Sequence, residues 1–271
     1  MDHPPEIVAL LEKYPSLRGP IETGVESHDG REERLLAFIL SHPHLHDMRG
    51  NPSKLLSVID EYSAKHDFLI SIGGHKAKIM SDLVAQETPQ TLVELGGYLG
   101  YSAILFADTM RRNSKPDQQQ PRVLSLEMSS EFSAIARELI MLAGLSDIVK
   151  VVTGPAGESL RKLHEKGDLN KIDFLFLDHV EELYVSDFKV CEELGLLQQG
   201  AVIAADNVVK PGAPEYRKYV RDHPRLRSTA VVGLIQPGDL EVRRSFSLRR
   251  SLLLLISAKD EIEITHVTSS A

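Results

Sequence analysis

Cysteine is nearly absent from this sequence of 271 residues, since Cys191 is the only one. A single cysteine excludes an internal disulfide. Cys191 lies in the helical pattern DFKVCEELGLL, where we expect it to face the core as a small apolar side chain. This cysteine usage fits a reducing compartment, so we expect a cytoplasmic protein.

Long hydrophobic runs are also missing. The strongest apolar run, LLLLI at residues 252–256, is far shorter than the ~20 residues that a membrane-spanning helix needs. The first residues, MDHPPEIVALLEKYP, carry acid and proline early, whereas a secretory signal has a basic start and a long apolar core. We therefore expect neither a membrane partner nor secretion.

An excess of positive charge is the third absence. Thirty-one lysines and arginines stand against 39 aspartates and glutamates, which gives a net charge of −8. Nucleic-acid-binding proteins usually show a basic footprint, so we expect no nucleic-acid partner. The 42% hydrophobic content is enough for an extensive core. We expect a globular protein, a monomer or a weak homodimer, that acts on a small molecule.

Apolar runs alternate with amphipathic helical patterns from about residue 70 onward. The predicted strands are TLVEL, RVLSLE, IVKVVTG, IDFLFLD and GAVIAAD, and two β-like runs, RSTAVVGLI and RRSLLLLISA, follow near the end. Strands without polar alternation are typical of a parallel sheet covered on both faces. The pattern predicts a Rossmann-like α/β domain: a mostly parallel seven-stranded sheet, an antiparallel edge pair and helices on both faces.

The chain before this region divides into two parts. Residues 1–30 are punctuated by proline and glycine, and we expect an irregular, peripheral extension with one short helix at EIVALLEKY. Helical patterns at REERLLAFILSH, NPSKLLSVIDEYSAKHD and GGHKAKIMSDLVAQE then lead into the sheet, and Asn51 is the expected N-cap of the second. We place one domain over residues 31–271.

A glycine turn follows the first predicted strand. Glu94 ends that strand, and Gly96, Gly97 and Gly100 follow before a helix. Such a turn lets a ligand approach main-chain N–H groups at the helix N-terminus. A second carboxylate, Glu127, ends the next strand. Two carboxylates at strand ends suit a ligand with an ammonium group and a ribose diol, and S-adenosylmethionine is such a ligand.

Oxygen-bearing side chains end two later strands. Asp178 follows IDFLFL, and Asp206 and Asn207 follow GAVIAA. In an open α/β sheet, ligands bind outside the carboxyl ends of the strands. Two carboxylates and an amide oxygen there favour Mg²⁺, with water and substrate completing its octahedron. The alternative for either aspartate alone is an N-cap for the next helix.

These motifs together resemble the catechol O-methyltransferase family. The similarity runs from about Arg31 to Ser257 and rests on VELGGYLGYSA, SLEMSSEF, FLDHVEELY, GLLQQGAVIAADN and the PGAP that follows. The resemblance implies methyl transfer from S-adenosylmethionine to a catechol or related phenol or diol, with Mg²⁺ held by Asp178, Asp206 and Asn207.

The resemblance also assigns cofactor contacts. It implies that Glu127 accepts hydrogen bonds from both ribose hydroxyls, that Ser102 binds the cofactor carboxylate, and that Met128 and His179 lie beside the adenine. The whole implied cofactor site is Ile72, Glu94, Gly96, Tyr98, Ser102, Glu127, Met128, Ala156, Asp178 and His179.

The chain departs from the family pattern at the groups that face the substrate. The family has an aromatic residue and a lysine after Asp-His, and the lysine is the general base; this chain has Val180 and Glu181. A carboxylate of ordinary pKa is a weaker base unless burial raises that pKa. The family's second substrate-binding glutamate aligns with Gln236, with Glu241 as the competing choice. Its Ser-Gln pair near adenine appears here as Ala156 and Gly157.

Three explanations of these departures stay open. Methylation proceeds with a metal-activated hydroxyl and a weak base, Glu181. Alternatively, Lys210, in the loop after Asn207, supplies the missing ammonium. The third explanation, from a different functional class, is a protein that binds S-adenosylmethionine without methylating a catechol.

Overall fold

The computed structural model describes residue 8 and residues 11–115, 117, 119–235 and 259–268. The strands are β1 Thr91–Leu95, β2 Arg122–Glu127, β3 Val149–Thr153, β4 Phe174–Leu177, β5 Val202–Ala205, β6 Leu226–Leu234 and β7 Lys259–Val267. The helices are α1 Arg18–Thr23, α2 Arg31–Leu40, α3 Leu45–Met48, α4 Pro52–Lys65, α5 Gly73–Glu87, α6 Tyr101–Asn113, α7 Ser130–Leu142, α8 Ala156–Glu165, α9 Tyr184–Glu193 and α10 Pro214–Asp222. Short 3₁₀ turns occur at Pro15–Leu17 and Glu181–Leu183, and a π-type turn occurs at Val208–Gly212.

The seven strands form one sheet in the order β3-β2-β1-β4-β5-β7-β6. The first five strands pair in parallel, whereas β7 runs antiparallel to both β5 and β6. This arrangement confirms the predicted mostly parallel sheet with an antiparallel edge pair. Because β1 lies between β2 and β4, the chain reverses its winding direction at β1, which is where open α/β sheets place their ligands.

Both faces of the sheet are covered, which explains the continuous apolar strands. On β1, Leu92 packs into the cluster formed with α2, α4, α5, α6 and α7, and Val93 packs into the opposite cluster with α8, α9 and α10. Cys191 is fully buried in the second cluster, as predicted. Burying side chains on alternate sides leaves no face of a central strand for water.

Local sequence signals fixed several helix ends. The Asn51 side chain accepts a hydrogen bond from Lys54 N at 3.2 Å, which confirms the predicted N-cap of α4.

None of the helices in the described part of the chain is long and apolar enough to cross a bilayer.

The last strand differs from the prediction. RSTAVVGLI corresponds to β6, but RRSLLLLISA lies outside the described residues, and the strand that pairs with β5 and β6 is Lys259–Val267. The sequence of β7, KDEIEITHV, is rich in charge because Asp260 and Glu263 are buried against cationic partners. The alternation of Glu261 and Glu263 with Ile262 and Ile264 is typical of a strand, and the prediction did not include it.

The N-terminal extension is more ordered than its sequence suggests. Residues 8 and 11–13 of EIVALLEKY are helical, Leu17 is buried in the 3₁₀ turn that follows, and Pro20 is buried in α1. Arg31 is only 2% exposed and donates hydrogen bonds to Val25 O, Phe68 O and the Asp29 carboxylate. These bonds fasten residues 25–31 to the domain, so this part of the extension is not peripheral. The boundary at residue 30 stays a prediction.

Candidate active site

A cavity of about 730 Å³ lies at the carboxyl ends of the parallel strands. Its lining includes Glu127 at the end of β2, Asp178 after β4 and Asn207 after β5. Neighbouring strands are about 4.8 Å apart, so the ends of β2 and β5, three strand spacings from each other, are separated by roughly 14 Å. The cavity is large enough for a nucleotide-sized cofactor and a small substrate side by side.

The turn after β1 brings bare backbone to the cavity. Gly96 has φ +94°, and a Cβ there would collide with the Asp178 carbonyl oxygen. A Cβ on Gly97 would collide with Ser125 Oγ. Glycine is therefore required here to avoid collisions with neighbouring groups of the protein, while the predicted approach of a ligand to this turn stays a prediction.

Glu127 is fixed by two main-chain amides. Tyr98 N donates to its Oε2 and Ser129 N to its Oε1, both at 2.8 Å. Each carboxylate oxygen has a second lone pair, so the two oxygens together can still accept from a diol. The amides hold the carboxylate plane, and this pre-organises the side chain for such a ligand.

Glu94 is the second carboxylate of the turn, and it is fully buried. Its Oε1 accepts from Ser125 Oγ at 2.5 Å, and its Oε2 is buried without a hydrogen-bond partner among the described residues. Burial raises the pKa of Glu94 from 4.5 to about 7; the hydroxyls of Ser125 and Ser102 oppose this effect and the charge of Glu127 adds to it. A buried oxygen that lacks a donor is a natural acceptor for a ligand ammonium group.

The N-terminal segment supplies one wall that sequence reasoning missed. Glu26, Ser27 and His28 line the cavity. The His28 ring stacks on Phe132 with centroids 4.3 Å apart, and Tyr98 donates from its hydroxyl to Glu32 at 2.9 Å. Proline and glycine in this segment indicated only a loop, because ring stacking across 104 positions of sequence leaves no local pattern.

Carboxylates gather where β4 and β5 end. Asp206 is 2% exposed, and its Oδ1 pairs with Lys76 Nζ at 2.6 Å. Burial, followed by the nearby charge of Asp206, raises the pKa of Asp178 well above its ordinary value, and Lys76 opposes this effect. The two aspartates therefore share one electrostatic environment, which a cation stabilises.

Lys76 was not predicted as a site residue. It lies on the apolar stripe of α5, with Met80 and Val84 one and two turns further on, and all three are buried. A lysine on an otherwise apolar helix face was the available signal, since such a side chain is buried only when it is paired.

His179 and Asp187 form a pair beside the cavity. His179 Nε2 and Asp187 Oδ2 are 3.0 Å apart, and the imidazole stacks on Tyr184 with centroids 5.0 Å apart. A Cβ on Gly157 would lie only 2.7 Å from Asp187 Oδ1. The absence of a side chain at Gly157 therefore makes room for the Asp187 carboxylate in the cavity wall.

Glu181 lies in the cavity wall at the start of the 3₁₀ turn, and it is half-buried. Burial, reinforced by the charges of Glu182 and Asp206, raises its pKa above the ordinary 4.5. A carboxylate becomes a better base when burial raises its pKa, and Glu181 meets this condition.

The structure brings most of the predicted site residues to this cavity. Its lining contains Ile72, Gly96, Tyr98, Ser102, Glu127, Met128, Ala156, Asp178, His179, Glu181 and Asn207. Glu94 and Asp206 are buried directly behind that wall. Lys210 is not among the described lining residues, and its pKa is lowered by burial. Gln236 and Glu241 lie outside the described residues, so the roles given to them stay predictions.

Comparison with known proteins identifies the family. A family model described as O-methyltransferase matches residues 49–228. Catechol O-methyltransferase of Bos taurus is 34% identical over 196 residues, which cover 72% of this chain and 68% of that protein. This chain is an O-methyltransferase of the catechol O-methyltransferase-like family.

Further similarities are found to a transmembrane-named relative and to solved O-methyltransferase structures. A Mus musculus protein named transmembrane O-methyltransferase homolog is 32% identical over 197 residues, covering 72% of each chain. Among solved structures, the O-methyltransferase from Bacillus cereus in complex with SAH superposes with a TM-score of 0.57 at 25% identity, covering 71% of this chain and 80% of that one. TomG from Streptomyces achromogenes, solved with SAM, gives a TM-score of 0.59 at 20% identity, covering 80% and 89%; it supports the fold alone.

Proposed function

We propose that this O-methyltransferase moves the methyl group of S-adenosylmethionine to a hydroxyl of a catechol or related small phenol or diol, with Mg²⁺ held by Asp178, Asp206 and Asn207. The observation that carries the proposal is the single cavity that reaches from Glu127 to Asp178 and Asn207. One end suits a ribose diol and the other suits a cation, so cofactor and acceptor would meet over β1 and β4.

The residues present fit the cofactor. Glu127 keeps free lone pairs toward the cavity, and the Glu94 Oε2 oxygen is a buried acceptor without a partner among the described residues. Met128 is 71% exposed and lines the cavity, which suits packing against a flat base. When bound, S-adenosylmethionine supplies an electrophilic methyl group on its sulfonium.

Replacing Glu127 with alanine is expected to weaken S-adenosylhomocysteine binding by about 1.5 to 3 kcal/mol, the usual loss for a hydrogen bond to a charged group. Isothermal titration of wild type and variant measures the change. Glu138→Ala, an exposed carboxylate on α7, is the control. Equal affinities in wild type and Glu127→Ala would remove Glu127 from the cofactor site.

The residues also fit a hard divalent cation. Asp206 pairs with Lys76 through Oδ1, and the Asn207 amide nitrogen faces the Lys210 carbonyl and leaves its oxygen for another partner. Asp178 adds a third oxygen donor on the adjacent strand. A bound Mg²⁺ lowers the pKa of a coordinated hydroxyl and so favours its deprotonation.

The acceptor part of the cavity combines apolar surface with acid. Ile70, Val180 and Leu183 are exposed and line the same cavity. An aromatic ring that packs against such side chains removes apolar surface from water, and this stabilises the complex. Glu181 lines the same cavity, and a carboxylate there can accept the hydroxyl proton. We therefore propose Glu181 as the general base, acting on a metal-activated hydroxyl.

A methyl-transfer assay over a panel of catechols and related phenols, with Mg²⁺ and with excess EDTA, tests this function. We expect methylated product only with the metal, because the diol would bind by completing the Mg²⁺ shell. Three protein ligands hold Mg²⁺ weakly, so excess EDTA should remove it. Activity that persists in excess EDTA would refute the magnesium role. A signal from monophenols but not from catechols would shift the acceptor class.

A second candidate follows from Glu181 itself. A carboxylate in place of the family's lysine adds negative charge near Asp178 and Asp206. The pKa of Glu181 is raised mainly by burial, and the charges of Glu182 and Asp206 add to this effect. A protein that binds S-adenosylmethionine without transferring its methyl group to a catechol would tolerate this change. Tight S-adenosylhomocysteine binding without turnover of any acceptor in the panel is its signature.

A further inference from the structure

Asp260, at the start of β7, is a buried carboxylate surrounded by donors. It is 1% exposed. Its Oδ1 accepts from Val209 N at 3.0 Å and from Lys210 N at 2.9 Å, and its Oδ2 accepts from Lys76 Nζ at 2.8 Å and from Asn207 Nδ2 at 3.3 Å. Four donors on one carboxylate hold the turn after β5 against β7.

This network decides which way the Asn207 amide points. Asn207 Nδ2 also donates to Lys210 O at 2.8 Å. A carbonyl and a carboxylate only accept hydrogen bonds, so the nitrogen must face them. The Asn207 Oδ1 oxygen, on the same planar group, is therefore directed away from Asp260.

Lys76 links the two aspartates from the other side. Its ammonium lies 2.6 Å from Asp206 Oδ1 and 2.8 Å from Asp260 Oδ2. Gly233 on β6 leaves space for the lysine stem, since a Cβ there would lie 2.7 Å from Lys76 Cγ. Lys76 thus holds the Asp206 carboxylate through its Oδ1 oxygen and ties it to Asp260.

We propose that Asp260 and Lys76 are positioning residues for the oxygen-ligand site, and that they orient Asn207 Oδ1 and the Asp206 carboxylate to bind a divalent cation. This inference rests on the proposed magnesium role of Asp178, Asp206 and Asn207. Partners that orient metal ligands commonly contribute 10- to 100-fold of metal affinity. Neither Asp260 nor Lys76 contacts substrate in this role.

The test measures Mn²⁺ affinity by electron paramagnetic resonance and S-adenosylhomocysteine affinity by calorimetry on the full-length protein. Asp260→Asn replaces one acceptor oxygen by an NH₂ group, so the four donors lose part of their partner. We expect Mn²⁺ binding weakened by at least about tenfold with S-adenosylhomocysteine affinity unchanged. Glu263→Gln is the matched control, because Glu263 is a buried carboxylate on the same strand that pairs with Arg221 instead.

The outcomes separate the two claims. Equal Mn²⁺ affinity in wild type, Asp260→Asn and Glu263→Gln overturns the positioning role while the magnesium site stands. A wild type that binds no Mn²⁺ overturns both. If Asp260→Asn does not fold, Gly233→Ala decides, because it displaces the Lys76 stem without changing any charge. If Asp260→Asn does not fold and Gly233→Ala binds Mn²⁺ as tightly as wild type, the inference is overturned.

Discussion

Replacing Asp206 with alanine is expected to lower methyl transfer by at least about 10²-fold, since a metal that stabilises developing charge is worth several kcal/mol. The change removes a proposed metal ligand and one of the two carboxylates that pair with Lys76. Glu127 and the glycine turn are untouched, so S-adenosylhomocysteine should still bind. Steady-state turnover of a catechol and calorimetric titration measure the two effects separately.

The control for Asp206→Ala is Asp108→Ala. Asp108 lies on α6 and pairs with Arg111 and Arg112 in its own helix. It is not among the described residues that line the cavity. If Asp206→Ala keeps turnover within about tenfold of wild type, the loss is too small for the removal of a metal ligand. That result would contradict the proposed role of Asp206.

Glu181→Lys is expected to raise the rate of catechol methylation, with a gain approaching the ~10²-fold scale of a general base. The substitution restores the family's lysine, and an ammonium beside Mg²⁺ and a sulfonium would have its pKa pushed down toward neutrality. Initial rates measured from about pH 6 to about pH 9 give the profile of each protein.

The direction of the pH effect distinguishes the two bases. The pKa of Glu181 is raised by burial, so its basic form is lost as pH falls through a value above the ordinary 4.5, and the wild-type rate should fall there. The lysine variant should lose its basic form at a higher pH. Glu181→Gln, which has no basic form, is the control. A Glu181→Lys protein that folds, binds cofactor and methylates no catechol at any of these pH values would favour the non-methylating function.

Much of the fold followed from local patterns. The bounds predicted for β1 and β2 agree with the structure, because unbroken apolar runs are typical of strands buried on both faces. The spacing of the glycines after β1 predicted a tight turn. The structure gives the reason for glycine at Gly96 and Gly97, because a Cβ there would collide with neighbouring groups. The positions of Asp178, Asp206 and Asn207 after two predicted strands indicated an oxygen-ligand site, and the resemblance to the family implied the same three ligands.

The parts that were missed depend on distant pairs. Lys76 and Asp260 are 184 residues apart, and neither shows a pattern at its own position that names the other. The strand β7 has a local signal in its alternating Ile262 and Ile264, but the burial of Glu263 depends on the distant arginines of α10 beside it. Charge pairing across a sheet has no period along the chain.

Sequence therefore established the class of fold, the glycine turn and the carboxylates at the strand ends, because each depends on neighbours within a few residues or on the alternation of strands and helices. Tertiary structure alone decided that the segment at 26–28 forms a cavity wall, that burial raises the pKa of Glu181, and that a buried lysine lies behind Asp206. Burial and ion pairing depend on what the folded chain places within a few ångströms, and sequence separation does not report that distance.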